Sequence, residues 1–233
     1  MKGFIPSSKG GDLDNTKAVV VLSGGQDSAT CLALACQTHP TVYTISFMYG
    51  QRHRIELDCA ARLSDIAGAK KHNLVEVSSL RQLGGSALLQ EGDIGAKHAL
   101  SNDLPASFVP GRNYIFLGLA AAWAFQLRVN HIYTGVCQTD YSGYPDCRQR
   151  AITAIQDALY WAMDWPFLIN TPLMHLTKKE TVLMMQSMGR ISWYSNTHTC
   201  YEGQRPPCGK CPACILREKG FKEAGIKDPL VEI

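Results

Sequence analysis

Along the chain, short continuous apolar runs alternate with apolar stripes at helical spacing. Residues 18–22 (Ala-Val-Val-Val-Leu) form a β-branched run of the kind a buried strand needs. Ala29, Leu32, Ala33 and Cys36 then recur at helical spacing, so a helix is expected from Ser28 onward. Residues 42–47 predict a second strand, Ile55, Cys59, Leu63 and Ile66 an amphipathic helix, and residues 74–77 a third strand. Strands alternating with helices imply an α/β fold with a parallel sheet covered on both faces. From 79 to 110 the pattern dissolves into Gly, Ser, Asp and Pro, a length usual for a functional loop or lid. Residues 113–127 are apolar on nearly every side, which predicts a central helix packed all round. A strand over 131–136, a helix carrying Ile152, Ile155, Leu159 and Met163, a strand over 167–171 and a helix over 178–188 complete the series. The expected organisation is a flexible leader over 1–17, an α/β domain over 18–189 and a cysteine-bearing tail over 190–233.

Length and composition narrow the class. A chain of 233 residues and 25.6 kDa accommodates one substantial domain with a small appendage. At that size roughly 70% of the unfolded surface is buried, so a core forms without staples. Apolar residues make up 45% and charged residues only 18%, which excludes a disordered chain. A net charge of +3 is too mild for a nucleic-acid surface, so no stable nucleic-acid partner is expected. The densest apolar stretch, 115–125, falls well short of a membrane span, and the opening residues are polar and glycine-rich. A soluble, cytoplasmic protein is therefore expected, in which nine cysteines point to metal and not to disulfides.

The sharpest chemical feature is Leu22-Ser23-Gly24-Gly25-Gln26-Asp27-Ser28, between the first strand and its helix. Two adjacent glycines let the backbone curl, bringing N–H groups toward an anion at a helix N-terminus. The hydroxyls of Ser23 and Ser28 add donors, giving a cradle of pyrophosphate size. Neither a Walker lysine nor the dinucleotide glycine spacing follows. The plain alternative is an ordinary turn capped by Ser23 and Asp27. These residues resemble the PP-loop ATP pyrophosphatases, whose signature is Ser-Gly-Gly-x-Asp-Ser. That resemblance implies an adenine-nucleotide alpha-hydrolase-like fold that cleaves ATP between its α and β phosphates and adenylates a carboxyl or carbonyl oxygen.

The tail carries Cys200, Cys208, Cys211 and Cys214. Two-residue gaps let successive thiolates converge on one ion, and four soft ligands with no vacancy suit a structural Zn²⁺, one per chain. Lys210 and Arg217 are expected to offset the charge of such a centre. An iron–sulfur cluster is the rival occupant, and paired disulfides or unrelated buried thiols the plain alternative.

Further polar residues sit where strands end. Arg112 follows Pro110-Gly111 at a helix start, placed to fork onto a phosphate or to lie solvated. Beyond the next strand, Asp140 and Asp146 can hold Mg²⁺ or accept ring N–H groups, and Tyr141 or Tyr144 can stack on a flat heterocycle. Cys137 and Cys147 read as packing thiols. Gln51, Arg52 and His53 lie past the second strand, and Lys178 and Lys179 open the last helix of the series.

Taken together, from about 18 to 217, these segments are similar to one PP-loop branch, the 7-cyano-7-deazaguanine synthases of queuosine-precursor biosynthesis. The similarity rests on Tyr-Gly-Gln-Arg-His, Phe-Val-Pro-Gly-Arg-Asn, the long 135–148 segment, Thr171-Pro172-Leu173-Met174 and Cys-Gly-Lys-Cys-Pro-Ala-Cys. It implies conversion of 7-carboxy-7-deazaguanine and ammonia to the nitrile through an adenylated acid and an adenylated amide, with ATP and Mg²⁺. It further implies ATP binding by Leu22, Ser23, Gly24, Gly25, Gln26, Asp27, Ser28, Ala29, Thr30, Cys31 and Leu32. Ser23, Asp27, Arg112 and Lys178 would carry catalysis, and Gln51, Arg52, His53, Asp140, Tyr144 and Asp146 would bind substrate. A homodimer is implied as well. The rivals are a tRNA-thiolating PP-loop enzyme and a zinc-dependent binding module on an inactive nucleotide fold.

Overall fold

The computed structural model describes residues 14–51, 54–84, 86–89, 97–98, 101–139 and 143–231. In chain order the elements are β1 (Lys17–Val21), α1 (Gln26–Thr38), β2 (Thr41–Met48), α2 (Ile55–Ile66), β3 (Lys71–Glu76) and α3 (Ser79–Leu83). A small hairpin, β4 (Lys97–His98) and β5 (Ser101–Pro105), precedes α4 (Arg112–Leu127) and β6 (His131–Tyr133). Next come α5 (Gln149–Met163), β7 (Leu168–Asn170), α6 (Lys178–Ser187) and α7 (Pro212–Ala224). Five strands form one parallel sheet in the order β3-β2-β1-β6-β7.

The chain winds outward from β1 to β3, then returns to place β6 on the other side of β1. The carboxyl ends of β1 and β6 therefore flank a topological switch point, where parallel sheets of this kind hold their ligands. Period-two alternation feeds both faces of β1. Val19 joins Tyr43, Ile45, Ile132 and the buried side of α4 and α5. Ala18, Val20 and Leu22 join α1, α2 and α6 on the opposite face. Tyr194 and Phe221, both from the expected tail, are buried in that second cluster, so the C-terminal segment packs against the sheet domain directly.

Several expectations need correction. The first helix begins at Gln26, two residues before Ser28, because Gly25 takes the extended N-cap conformation (φ −85°, ψ 170°). β3 starts at Lys71 and not at residue 74. It is the sheet's edge, so polar Lys71, His72 and Asn73 are tolerated there. β6 stops at Tyr133, because Gly135 turns in against α1. The α4 helix is not packed all round. Leu117, Ala120, Ala121 and Ala124 are buried, but Tyr114, Leu119 and Phe125 are exposed. Of the residues expected to form a leader, those from 14 to 17 are described: the Asn15 carbonyl accepts from His39 Nδ1 at 2.7 Å, and the Thr16 carbonyl accepts from Thr41 N–H at 3.0 Å. Within the 79–110 segment the described residues include α3 and the β4–β5 hairpin.

Arg217 on α7 ties the tail together. Its guanidinium grips Asp228 with two bonds (Nε–Oδ2 2.6 Å, Nη2–Oδ1 2.8 Å) and donates to Thr197 and Thr199 Oγ1 at 2.7 and 3.0 Å. Its charge is thus balanced by Asp228, which corrects the expectation that it offsets a metal centre. With Arg217 only 3% exposed, truncation strands a buried carboxylate. Arg217→Ala is expected to lose about 3–5 kcal/mol in urea unfolding, with the loss falling on the α7 segment first in hydrogen exchange.

Candidate functional site

The loop at 22–28 follows from close backbone packing. Leu22 N–H still bonds Ile45 O at 2.8 Å, so the strand's pairing runs to the edge of the turn. Gly24 then takes φ +85°, and a Cβ there would lie 2.1 Å from the Glu56 carbonyl oxygen. Only glycine fits that position, since both the conformation and the space exclude a side chain. On the other side the Gly24 carbonyl accepts His198 N–H at 2.9 Å. The turn is thereby clamped between α2 and the segment leading to the cysteines. Ser28 Oγ donates to the Gly25 carbonyl (3.1 Å) and lies 3.1 Å from Ser23 Oγ, while Ser23 Oγ accepts Gly25 N–H (3.3 Å).

A cation is built into the rim. Lys178 is the first residue of α6, fixed by a capping box in which Thr177 and Glu180 satisfy each other's backbone N–H groups. Its Nζ donates to Asp27 Oδ1 and Oδ2 at 2.8 and 2.6 Å. Two glycines allow this approach. A Cβ at Gly135 would meet Asp27 and Ser28 backbone atoms at 2.9 Å, and one at Gly220 would meet Lys178 Cβ at 2.6 Å.

Beside the turn lies a second group. The Arg112 guanidinium sits 5.9 Å from the Tyr49 ring centre and 5.8 Å from that of Tyr144, and Nη1 reaches the Tyr49 hydroxyl at 3.5 Å. Tyr144 is buried, its hydroxyl 2.7 Å from Ser107 Oγ. Burial pushes the Tyr49 and Tyr201 hydroxyls above the ordinary phenol range. Burial also raises the Glu56 carboxyl to about 7, against a smaller opposing pull from Arg112.

The four tail thiols meet as the spacing predicts. Their Sγ atoms all lie within 4.8 Å of one another, and no cysteine is in a disulfide. Zn–S bonds of about 2.3 Å put tetrahedral sulfurs roughly 3.8 Å apart, and Cys208 and Cys214 Sγ are 3.9 Å apart. Backbone N–H groups of Lys210 and Cys211 point at Cys208 Sγ (3.4 and 3.3 Å), holding its thiol down to about 6. The cluster fits a single tetrahedral ion.

A family model described as "Queuosine biosynthesis protein QueC" matches residues 17–225, nearly the whole chain. The chain belongs to this family. The 7-cyano-7-deazaguanine synthase of Chromobacterium violaceum is 48% identical over 220 residues, 93% of each chain. That of Laribacter hongkongensis is 48% identical over 221 residues, 94% of this chain and 95% of the relative. Among solved structures, the crystal structure of a 4-thiouridine synthetase–RNA complex with bound ATP is 16% identical with a TM-score of 0.53. That likeness, over 89% of this chain and 53% of the other, shows a shared fold alone.

The structure brings some of the expected site residues together and separates others. Ser23, Gly24, Gly25, Asp27 and Ser28 converge at the turn with Lys178, whereas Leu22, Ala29, Thr30, Cys31 and Leu32 are fully buried and pack the core. Thr30 Oγ1 is held by the Tyr194 hydroxyl at 2.6 Å, and Gln26 is buried as well. Arg112 and Tyr144 meet in the second group. Asp146 Oδ2 accepts Asn113 N–H (3.1 Å), fixing the start of α4. Gln51 bonds its own turn through Tyr49 N (2.9 Å) and Phe47 O (3.2 Å). Arg52, His53, Asp140 and Tyr141 lie outside the described residues.

Sequence reasoning passed over Glu56, Tyr201, Gly220 and the His198 backbone, and read Gly135 only as the start of the 135–148 segment. Glu56 left a trace, as an acidic residue in the first turn of a helix that follows Tyr-Gly-Gln-Arg-His. Gly24→Ala is expected to abolish nucleotide binding in calorimetry. Gly25→Ala, whose Cβ would meet nothing nearer than 3.5 Å, should fold with native circular dichroism.

Proposed function

We propose that this chain is a carbon–nitrogen ligase of queuosine biosynthesis, converting 7-carboxy-7-deazaguanine and ammonia to 7-cyano-7-deazaguanine and consuming ATP. The observation that carries the reading is the placement of a backbone curl at a helix N-terminus directly against α2, whose Glu56 carboxyl also feels the Arg112 charge. A nucleotide's phosphates at 23–28 would then present its α-phosphate toward the Arg112 group. The chemistry requires this. A carboxylate must lose both oxygens to become a nitrile, and hydroxide is a poor leaving group. Adenylation of the acid lets ammonia displace AMP to give the amide, and adenylation of the amide oxygen then permits elimination.

In this reading the N–H groups and hydroxyls of Ser23, Gly24, Gly25 and Ser28 hold the leaving pyrophosphate. Lys178 leaves Asp27 for the phosphates, and Arg112 neutralises charge developing on them. Mg²⁺ accompanies ATP, with Asp27 or Asp140 as its carboxylate. Gln51, Arg52, His53, Asp140, Tyr144 and Asp146 are the residues assigned to binding the deazapurine. One structural Zn²⁺ occupies the four-cysteine site, a reading supported by Sγ atoms close enough for one ion. The exposed apolar face of α4, with Tyr114, Leu119 and Phe125, supports a homodimer. The free thiols fit a reducing cytoplasm. Among the described residues no helix is long and apolar enough to cross a membrane.

Incubation with ATP, ammonium and 7-carboxy-7-deazaguanine should yield the nitrile by mass spectrometry, with AMP and pyrophosphate as co-products. Absence of pyrophosphate would contradict adenylation. Metal analysis should find one zinc per chain and no iron. Stripping it with a chelator should weaken ATP binding, because the His198 N–H that holds Gly24 lies two residues before Cys200.

A further inference from the structure

We infer that Glu56 is the proton acceptor for the nitrogen chemistry, taking a proton from the incoming ammonia and from the adenylated amide. This deepens the proposed function and rests on it. Glu56 stands in the first turn of α2, its own carbonyl oxygen pressed against Gly24, so it borders the phosphate curl. Its carboxyl is coupled electrostatically to the groups that assemble beside the curl: Arg112 from α4, Tyr49 just past β2 and Tyr201 from the cysteine loop.

The other described carboxylates near the site are engaged. Asp27 receives both bonds from Lys178, and Asp146 accepts the Asn113 N–H. Glu56 has neither hydrogen bond nor ion pair at its carboxylate among the described residues. A carboxyl raised to about 7 also suits a base that works at neutral pH, being half ionised there and strong enough to accept a proton. Arg112 is the cation acting on it, and the two phenols coupled to it stay neutral because burial raises them.

Nitrogen gives up one proton in amide formation and two in the conversion of amide to nitrile. The first of those two goes to solvent as the amide oxygen attacks the α-phosphorus and pyrophosphate leaves, and the second is released in the elimination. When ammonia attacks the adenylated acid, the C–N bond forms and the C–O bond to AMP breaks. AMP leaves with the electron pair, and one nitrogen proton passes to the Glu56 carboxylate, then to water. When the adenylated amide, R–C(=NH)–O–AMP, eliminates, the C–O bond breaks, the N–H proton passes to Glu56 and its electron pair completes the C≡N bond. The first adenylation moves no nitrogen proton, so it does not need Glu56.

That difference gives the test. Carboxylate-dependent exchange of labelled pyrophosphate into ATP reports the first adenylation, and amide and nitrile are followed by mass, all at constant free ammonia. Glu56→Gln should keep exchange within about twofold of the native chain while amide formation falls about 100- to 10,000-fold. In the native chain the amide-forming rate should rise with pH and level off above about 7. Glu56→Gln should lose that inflection, and Glu56→Asp should retain it at a reduced rate. Amide formation by Glu56→Gln at the native rate, or exchange reduced as far as amide formation, overturns the assignment and leaves the proposed function standing. A native chain that shows no exchange with this substrate overturns both.

Discussion

The structure turns on a place where three segments meet with no room for a methyl group. Gly24 is held between the Glu56 carbonyl on one side and the His198 N–H on the other, at a backbone angle that other residues adopt only with strain. That clamp sets where the N–H groups of the curl point. It also couples the curl to α2, and through residues 197–200 to the cysteine cluster. An anion site made of backbone donors is only as good as its preorganisation. Here the preorganisation comes from elements far apart in the chain.

The cysteine segment is therefore more than an appendage that happens to bind metal. It supplies the strap over Gly24, Tyr201 beside Arg112, and Tyr194, which closes over Thr30 in the core. The Arg217–Asp228 pair then anchors the same strap from behind. Charge is distributed so that opposite signs are matched around the curl: Lys178 with Asp27, Arg112 among tyrosines and a carboxyl that is largely protonated below about 7. Binding a polyanion there would release Lys178 from Asp27 and leave Arg112 as the charge facing the reacting group.

Much of this was legible in the sequence because it is local. The strand–curl–helix unit, the start of α6 at Lys178 and the knuckle spacing of the cysteines each depend on residues within a few positions of one another. What was not legible depends on long-range approach. Glu56 reads as one more acidic residue in a helix's first turn until the fold sets it against Gly24. Nothing local marks Gly135 or Gly220 as the places where missing side chains admit Asp27 and Lys178. The α4 helix misled for the opposite reason. An all-round apolar pattern does not say which side the domain itself covers, and here one side faces outward. Helix α1 starts earlier than the apolar stripe suggests because its cap is a backbone conformation and carries no side-chain signature.

The most direct measurement of the central claim is a crystal structure of the chain with an ATP analogue whose α–β bridge cannot be cleaved. The account requires the β- and γ-phosphates to lie in the curl at 23–28, accepting its backbone N–H groups, with Lys178 moved off Asp27 and the α-phosphate on the Arg112 side. A triphosphate bound anywhere else, with the curl empty and the Lys178–Asp27 pair intact, would contradict it.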